Sequence, residues 1–165
     1  MPGTAKPEFA AILIELRRHQ VDFIVVGGIA AWLEGVPANT IDLDIVHSRE
    51  PDNIGRLLSA LDSLRAIYRT RPELALKPDA SHLASAGHQL LMTRFGPLDI
   101  LGMIGRSRNY ADLLPHAHEL EVADGLRVRV LDLETLIAVK EEVAGERDLA
   151  VLPIMRRTLE EKRRR

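Results

Sequence analysis

Residues 21–26, Val-Asp-Phe-Ile-Val-Val, form an almost unbroken apolar, β-branched run that stops at Gly27-Gly28. A strand of this kind is stable only when both of its faces are covered, so the rest of the chain must supply layers for two sides of a sheet. Helices with the right stripe are legible. Phe9, Ile12, Leu13 and Leu16 recur at i, i+3, i+4 and i+7, and Ile54, Leu57, Leu58 and Leu61 do the same behind Pro51, a residue suited to a first helical turn. Residues 29–33 read as a short helix stopped near Gly35 and Pro37. Residues 41–46 alternate as a strand, with Ile41, Leu43 and Ile45 on one face and Asp42, Asp44 and Val46 on the other.

Further along, residues 89–95 and 98–101 read as strands joined at Gly96-Pro97, and residues 119–122 and 127–131 as a hairpin around Ala123-Asp124-Gly125. Asp132 is an N-cap for a helix reaching about residue 144, and Asp148 for a last helix that kinks or restarts at Pro153. Residues 1–7 read as a loose tail, and residues 71–87 as loop with a helical turn. The expected class is α/β (α+β): a single domain over residues 1–165 with a mixed β-sheet and flanking helices, the last of them in residues 132–165.

Composition narrows the chemistry. The chain has no cysteine, which excludes disulfide scaffolds, thiolate metal sites and cysteine catalysis. Net charge is −2, with 24 acidic and 22 basic residues, so bulk charge does not mark a nucleic-acid binder. No apolar run approaches the roughly 20 residues that cross a bilayer, and the first residues lack a signal-peptide core. The expectation is a cytoplasmic protein without membrane contact.

Aspartate is a poor strand residue and costly to bury alone, yet Asp42 and Asp44 interrupt one apolar strand on the same side. Their Cα atoms would lie about 7 Å apart, and the carboxylates repel unless a cation sits between them. Hard oxygen ligands of this kind suit Mg²⁺; the spacing equally suits a solvated strand face. Asp99, alone between Leu98 and Ile100, adds a third acid if its strand neighbours the first, and it would otherwise face water on an edge strand. Three acids are about what a two-metal phosphoryl-transfer site requires.

Gly27-Gly28 complements them, since a strand ending in two glycines before a helix lets backbone N–H groups approach an anion. Lys140 lies on the apolar stripe set by Leu133, Leu136 and Ile137, where a lysine either snorkels to water or meets an anion. Other features read as structural. His116 and His118 read as a surface loop pair rather than part of a metal site, Trp32 as core, and Arg65, Arg69, Arg71 and Lys77 as solvated surface, with one side of a cleft as the alternative. The terminal Glu161-Lys-Arg-Arg-Arg165 reads as a frayed, solvated helix end.

Taken together, Val25-Val-Gly-Gly-Ile-Ala-Ala31, Gly35 and Thr40-Ile-Asp-Leu-Asp-Ile45 resemble the signature of the nucleotidyltransferase superfamily that includes DNA polymerase β. The nearest likeness is to its small bacterial AbiEii-type and minimal branch. Residues 93–101, Thr-Arg-Phe-Gly-Pro-Leu-Asp-Ile-Leu, are similar to the family's third-carboxylate strand. Residues 128–140, followed by Arg147-Asp148, are similar to its C-terminal lysine segment. The likeness covers about residues 21–155.

The resemblance implies a nucleotidyltransferase-like fold and transfer of a nucleoside monophosphate from a nucleoside triphosphate to a hydroxyl, with release of pyrophosphate. Asp42, Asp44 and Asp99 would be catalytic and hold two Mg²⁺ ions, Asp99 also helping to deprotonate the acceptor. Gly27, Gly28, Thr40 and Lys140 would bind the nucleotide. The implied acceptor is RNA or protein, as in a toxin–antitoxin system with a small helical partner protein. Two alternatives stand beside it: a small-molecule acceptor such as an aminoglycoside, and a catalytically weak domain kept for nucleotide sensing or partner binding. Many relatives have an arginine two residues before the motif threonine, where this chain has Ala38; that departure favours the weak-domain alternative.

Overall fold

The computed structural model describes residues 8–37 and 39–165, apart from the side chains of residues 146–148. The expected tail at residues 1–7, Ala38 and the Asp148 cap lie outside the described residues. In chain order the elements are α1 (Phe9–Arg18), β1 (Phe23–Val26), α2 (Gly27–Leu33), β2 (Leu43–His47), α3 (Pro51–Ser63), β3 (Ile67–Tyr68), α4 (Ala80–Ala84), β4 (His88–Thr93) and β5 (Gly96–Leu101). There follow β6 (Met103–Ile104), β7 (Arg108–Asn109), α5 (Tyr110–Leu113), β8 (Ala117–Ala123), β9 (Leu126–Leu131), α6 (Leu133–Glu142) and α7 (Glu146–Arg163). Short 3₁₀ turns at Pro72–Leu74 and Leu114–His116 complete the order.

Seven strands form a mixed sheet in the order β3-β4-β5-β2-β1-β9-β8. β1 runs antiparallel to β2 and parallel to β9, while β2 and β5 are parallel. All four residues of β1 are buried, as expected of a strand covered on both faces. α1 packs on α3 and α3 on α4, whereas α2 packs on α6 and α6 on α7. The chain is thus mixed α/β, a sheet flanked by helices, as its patterning indicates.

Several expectations need correction. Gly27 and Gly28 do not separate strand from helix; they are the first two residues of α2. β2 begins at Leu43, so Asp42 precedes the strand, and Ile41 is exposed rather than sharing the buried side of Leu43 and Ile45. Val46, expected beside the acids on a polar face, is fully buried, because the interior of β2 is covered on both sides. The β4–β5 turn is Arg94-Phe95, with Thr93 paired to Gly96, so Gly96-Pro97 opens β5 instead of forming the turn. Gly96 has φ +130, which a glycine tolerates and which re-aims the chain into the strand.

α7 continues through Pro153 without a break in its assigned span. Trp32 is 57% exposed and is not core. The chain end is not simply frayed: Lys162 on the last turn of α7 donates to Glu34 Oε2 at 2.7 Å and to the Glu34 carbonyl at 3.2 Å. His118, expected on a surface loop, lies on β8 with Nε2 3.1 Å from Glu34 Oε1. Glu34, at the end of α2, is therefore held by Lys162 on Oε2, while Oε1 lies near His118 without a hydrogen bond among the described residues.

Candidate active site

The parallel pairing of β2 with β5 sets Asp44 opposite Asp99 as direct register partners. In-register residues of neighbouring strands point to the same face, so two carboxylates are forced side by side. The alternative of an edge-strand aspartate is excluded for Asp99, since β5 is enclosed by β2 and β4 and Asp99 is only 8% exposed. Asp42, two residues ahead of Asp44, is more open, with a side chain 39% exposed.

The start of α2 closes over this pair. β1 pairs Val26 with Asp44, which brings the next residue, Gly27, against the Asp44 carboxyl. Gly27 has φ +68, and a β-carbon there would overlap Asp44 Oδ2. A β-carbon on Gly28 would come within 2.9 Å of Thr40 Oγ1. The diglycine is thus a requirement of contact: one glycine accommodates the acid and the other the threonine. Thr40 donates its hydroxyl hydrogen to the Asp42 carbonyl at 3.3 Å, which orders the approach to β2.

Electrostatics follow from this crowding. Burial, and next the negative charges of Asp99 and Asp42, push the Asp44 carboxyl from 3.8 up to about 8, with Arg69 acting in the opposite sense. Asp44 Oδ1 is buried and has no hydrogen-bond partner among the described residues. An orphaned carboxylate oxygen beside other hard oxygen donors fits a divalent cation such as Mg²⁺. The fit extends to Asp42 and Asp44, and Asp99 is differently placed. Among the described residues no group of three or more acidic, histidine or cysteine side chains is arranged to hold a metal ion.

The pairing of Arg69 with Asp99 is what sequence reasoning missed. Expected on a solvated surface, Arg69 follows β3 and reaches across β4 to Asp99. Its Nη1 donates to Asp99 Oδ1, its Nη2 donates to Asp99 Oδ2 at 3.3 Å, and Nη1 also donates to the Leu91 carbonyl at 3.2 Å. Nη2 stands 4.0 Å from Asp42 Oδ2. Both oxygens of Asp99 therefore face a cation that the chain carries itself. The sequence signal was weak because β3 has only two residues, too few for alternation to show which side the next residue takes.

On the other side of Asp44 opens a cavity of about 470 Å³, lined by Gly27, Asp44, Leu101, Ile104, Leu136 and Lys140 among others. Lys140, on α6, thus shares a cleft with Asp44 and Gly27. The β6–β7 hairpin forms part of its wall and is pinned to α6 through Glu142. Glu142 Oε1 accepts from Arg108 Nε at 2.9 Å and Nη2 at 2.6 Å, and Oε2 accepts from the Arg106 backbone N–H at 3.1 Å. Gly105, φ +62, lies so close that a β-carbon would overlap Glu142 Oε2.

No family model and no curated protein matches the chain. Solved structures do match in fold. A candidate nucleotidyltransferase, TM1012 of Thermotoga maritima, superposes with TM-score 0.56 at 16% identity, over 93% of this chain and 91% of that one. The lincomycin-bound lincosamide antibiotic adenylyltransferase LnuA gives TM-score 0.60 at 12% identity, over 90% of this chain and 94% of that one. ANT(2")-Ia, in complex with adenylyl-2"-tobramycin, gives TM-score 0.58 at 16% identity, over 92% and 87%. No described helix is long and apolar enough to cross a membrane. At these identities the likeness is one of architecture, and the chain has a nucleotidyltransferase-like fold.

Proposed function

We propose that the chain transfers a nucleoside monophosphate from a nucleoside triphosphate to a hydroxyl group, with Asp42, Asp44 and Asp99 as its acids. The observation that carries this reading is the register pairing of Asp44 with Asp99 beneath Gly27, with Asp44 Oδ1 buried and unpartnered among the described residues. The acceptor oxygen attacks the α-phosphorus, the bond from that phosphorus to the bridging oxygen breaks, and pyrophosphate leaves. Asp99 takes the hydroxyl proton. The amide groups of Gly27 and Gly28 at the start of α2, together with Lys140 across the cleft, face the triphosphate. Asp42 and Asp44, joined by Asp99, would hold Mg²⁺, which supplies charge neutralisation at the phosphates when bound. The chain's own work is to position two substrates and to keep competing water out.

The apolar side of the cleft, away from the groups that face the triphosphate, favours a small-molecule acceptor over RNA or protein. At about 470 Å³, with Leu101, Ile104 and Leu136 in its wall, the cleft has the dimensions of a ligand pocket. LnuA and ANT(2")-Ia, which share the fold, are antibiotic adenylyltransferases or carry an adenylylated antibiotic. The largely aliphatic wall suits an acceptor less charged than an aminoglycoside. An RNA or protein acceptor, a toxin–antitoxin role with a helical partner, and a nucleotide-sensing domain remain readings that the same experiment separates.

The test is incubation with each radiolabelled nucleoside triphosphate, Mg²⁺ or Mn²⁺, and separate pools of hydroxylated small molecules, RNA and protein. Labelled product in one pool, lost in Asp42→Asn/Asp44→Asn, is the expected result and names the acceptor class. Metal-dependent triphosphate binding without product in any pool would replace the enzyme reading by a sensing one. No binding at all would overturn both.

A further inference from the structure

The guanidinium of Arg69 sits where the acid cluster would meet an external cation. It is charged at all accessible pH values, it takes both oxygens of Asp99, and it lies 4.0 Å from Asp42 Oδ2. Its side chain is 24% exposed and Asp99's is 12% exposed, so water screens the pair only partly. The arginine is also fixed from behind by the Leu91 carbonyl, and its own backbone N–H donates to the Leu90 carbonyl at 3.1 Å. These anchors hold the head group in place with the chain alone.

We propose that Arg69 is a built-in competitor for the divalent cation: it occupies Asp99 until a metal ion arrives, and that ion must displace it to gain the third carboxylate. The proposal rests on the reading of Asp42, Asp44 and Asp99 as a metal-binding acid cluster. Two physical effects act together. Arg69 and a divalent ion want the same Asp99 oxygens, and a positive charge within a few ångströms lowers the affinity of the whole cluster for a second cation. Arg69 is a positioning residue in this account, acting on metal loading through Asp99.

The experiment measures Mn²⁺ binding to the full chain by electron paramagnetic resonance, without nucleotide. Arg69→Met should bind Mn²⁺ about tenfold more tightly than the wild type. Arg69→Lys, which keeps the charge but not the two-pronged grip, should fall between them. Relative to Asp99→Asn alone, Arg69→Met/Asp99→Asn should keep only the smaller, charge-repulsion part of that gain. Circular dichroism melts establish that each variant is folded, and Arg69→Lys serves if Arg69→Met is not. In parallel, the Nε–Hε resonance of Arg69, identified by its loss in Arg69→Met, should shift on Mg²⁺ addition to the wild type and stay fixed in Asp42→Asn/Asp44→Asn. Equal or weaker Mn²⁺ binding in Arg69→Met, with wild-type binding lost in Asp42→Asn/Asp44→Asn, overturns the proposal and leaves the metal site standing. No Mn²⁺ binding by any variant, with the resonance unmoved, overturns both.

Discussion

The α-carbon of Gly27 lies so close to the carboxyl of Asp44 that a single added methyl group would overlap Oδ2 and reach Cγ at 3.0 Å. The backbone at Gly27 also sits at φ +68, where an L side chain costs about 1–2 kcal/mol. Gly27→Ala should therefore suffer twice, through strain and through displacement of Asp44. Gly125 separates the two effects, since its φ is +72 and a β-carbon there meets nothing within 4 Å. Gly125→Ala should cost only the strain. In thermal melts Gly27→Ala should fall by roughly 5 °C or more and Gly125→Ala by about half as much. Nucleotide binding should be lost in the first and kept in the second. Equal melting shifts with intact binding in both would show that the contact with Asp44 is immaterial.

Asp44 makes the metal-free protein less stable as the solution becomes basic. Its carboxyl is pushed from 3.8 up to about 8 by burial first and by Asp99 and Asp42 next. The folded state therefore holds a proton that the unfolded chain releases. The stability from this group is complete below about pH 4 and is lost as pH rises through about 8. Asp44→Asn, neutral at every pH, should be more stable than the wild type by up to about 5 kcal/mol at high pH and equal to it in acid. Urea unfolding at both ends of the range reads this directly. Millimolar Mg²⁺ should raise the wild type and leave the Asn variant unmoved. A wild type whose stability rises across this window would contradict the assignment.

His47 produces the opposite slope. It is 1% exposed, its Nε2 lies 2.7 Å from the Leu83 carbonyl, and its Nδ1 has no hydrogen-bond partner among the described residues. A carbonyl can only accept, so Nε2 carries the proton and ties β2 to α4. Burial pushes the imidazole below its ordinary 6.5. The folded state then refuses a proton that the unfolded chain takes up, so stability is complete above about pH 6.5 and is lost as pH falls below it. His47→Leu should be less stable near neutrality by about 1 kcal/mol, from the lost tether. It should also be flatter between mildly acidic and neutral pH. An unchanged slope in that variant would place the acid sensitivity elsewhere.

How much of this arrangement could be read without coordinates depended on how local each signal was. The stripe of α1, the Pro51 start of α3 and the Asp132 cap of α6, whose carboxylate accepts from the Thr135 N–H at 2.7 Å, are set by neighbours in sequence and were legible. So was the suspicion attached to Asp44 and Asp99, because an acid inside an apolar strand is conspicuous. Their pairing depends on β2 lying parallel to β5, which spacing cannot reveal. The partners of Arg69 and Glu34 were invisible for the same reason. Each acts on a residue far along the chain, Arg69 on Asp99 and Glu34 on Lys162, and no periodicity marks such a pair. Trp32 misled through its type alone, since a large apolar residue is usually buried, and here a helix of seven residues leaves one face open.

Glu34 ties the end of the glycine helix to the end of the chain. Its side chain is 4% exposed, with Lys162 Nζ 2.7 Å from Oε2 and His118 Nε2 3.1 Å from Oε1. A carboxylate buried to this degree is costly once a partner is removed. Lys162→Met should therefore destabilise the fold by about 1–2 kcal/mol, less than a fully buried pair would, because Lys162 itself is 40% exposed. Glu34→Gln should cost less than Lys162→Met, since it removes the buried charge along with half of the pairing. The double variant should cost less than the sum of the two, with a coupling of about 1 kcal/mol in a double-mutant cycle. Limited proteolysis adds a local readout, because α7 should become cleavable near its end in Lys162→Met before the sheet unfolds. Additive effects in the cycle, with α7 as resistant as in the wild type, would reduce the contact to a surface ion pair of no consequence for α2.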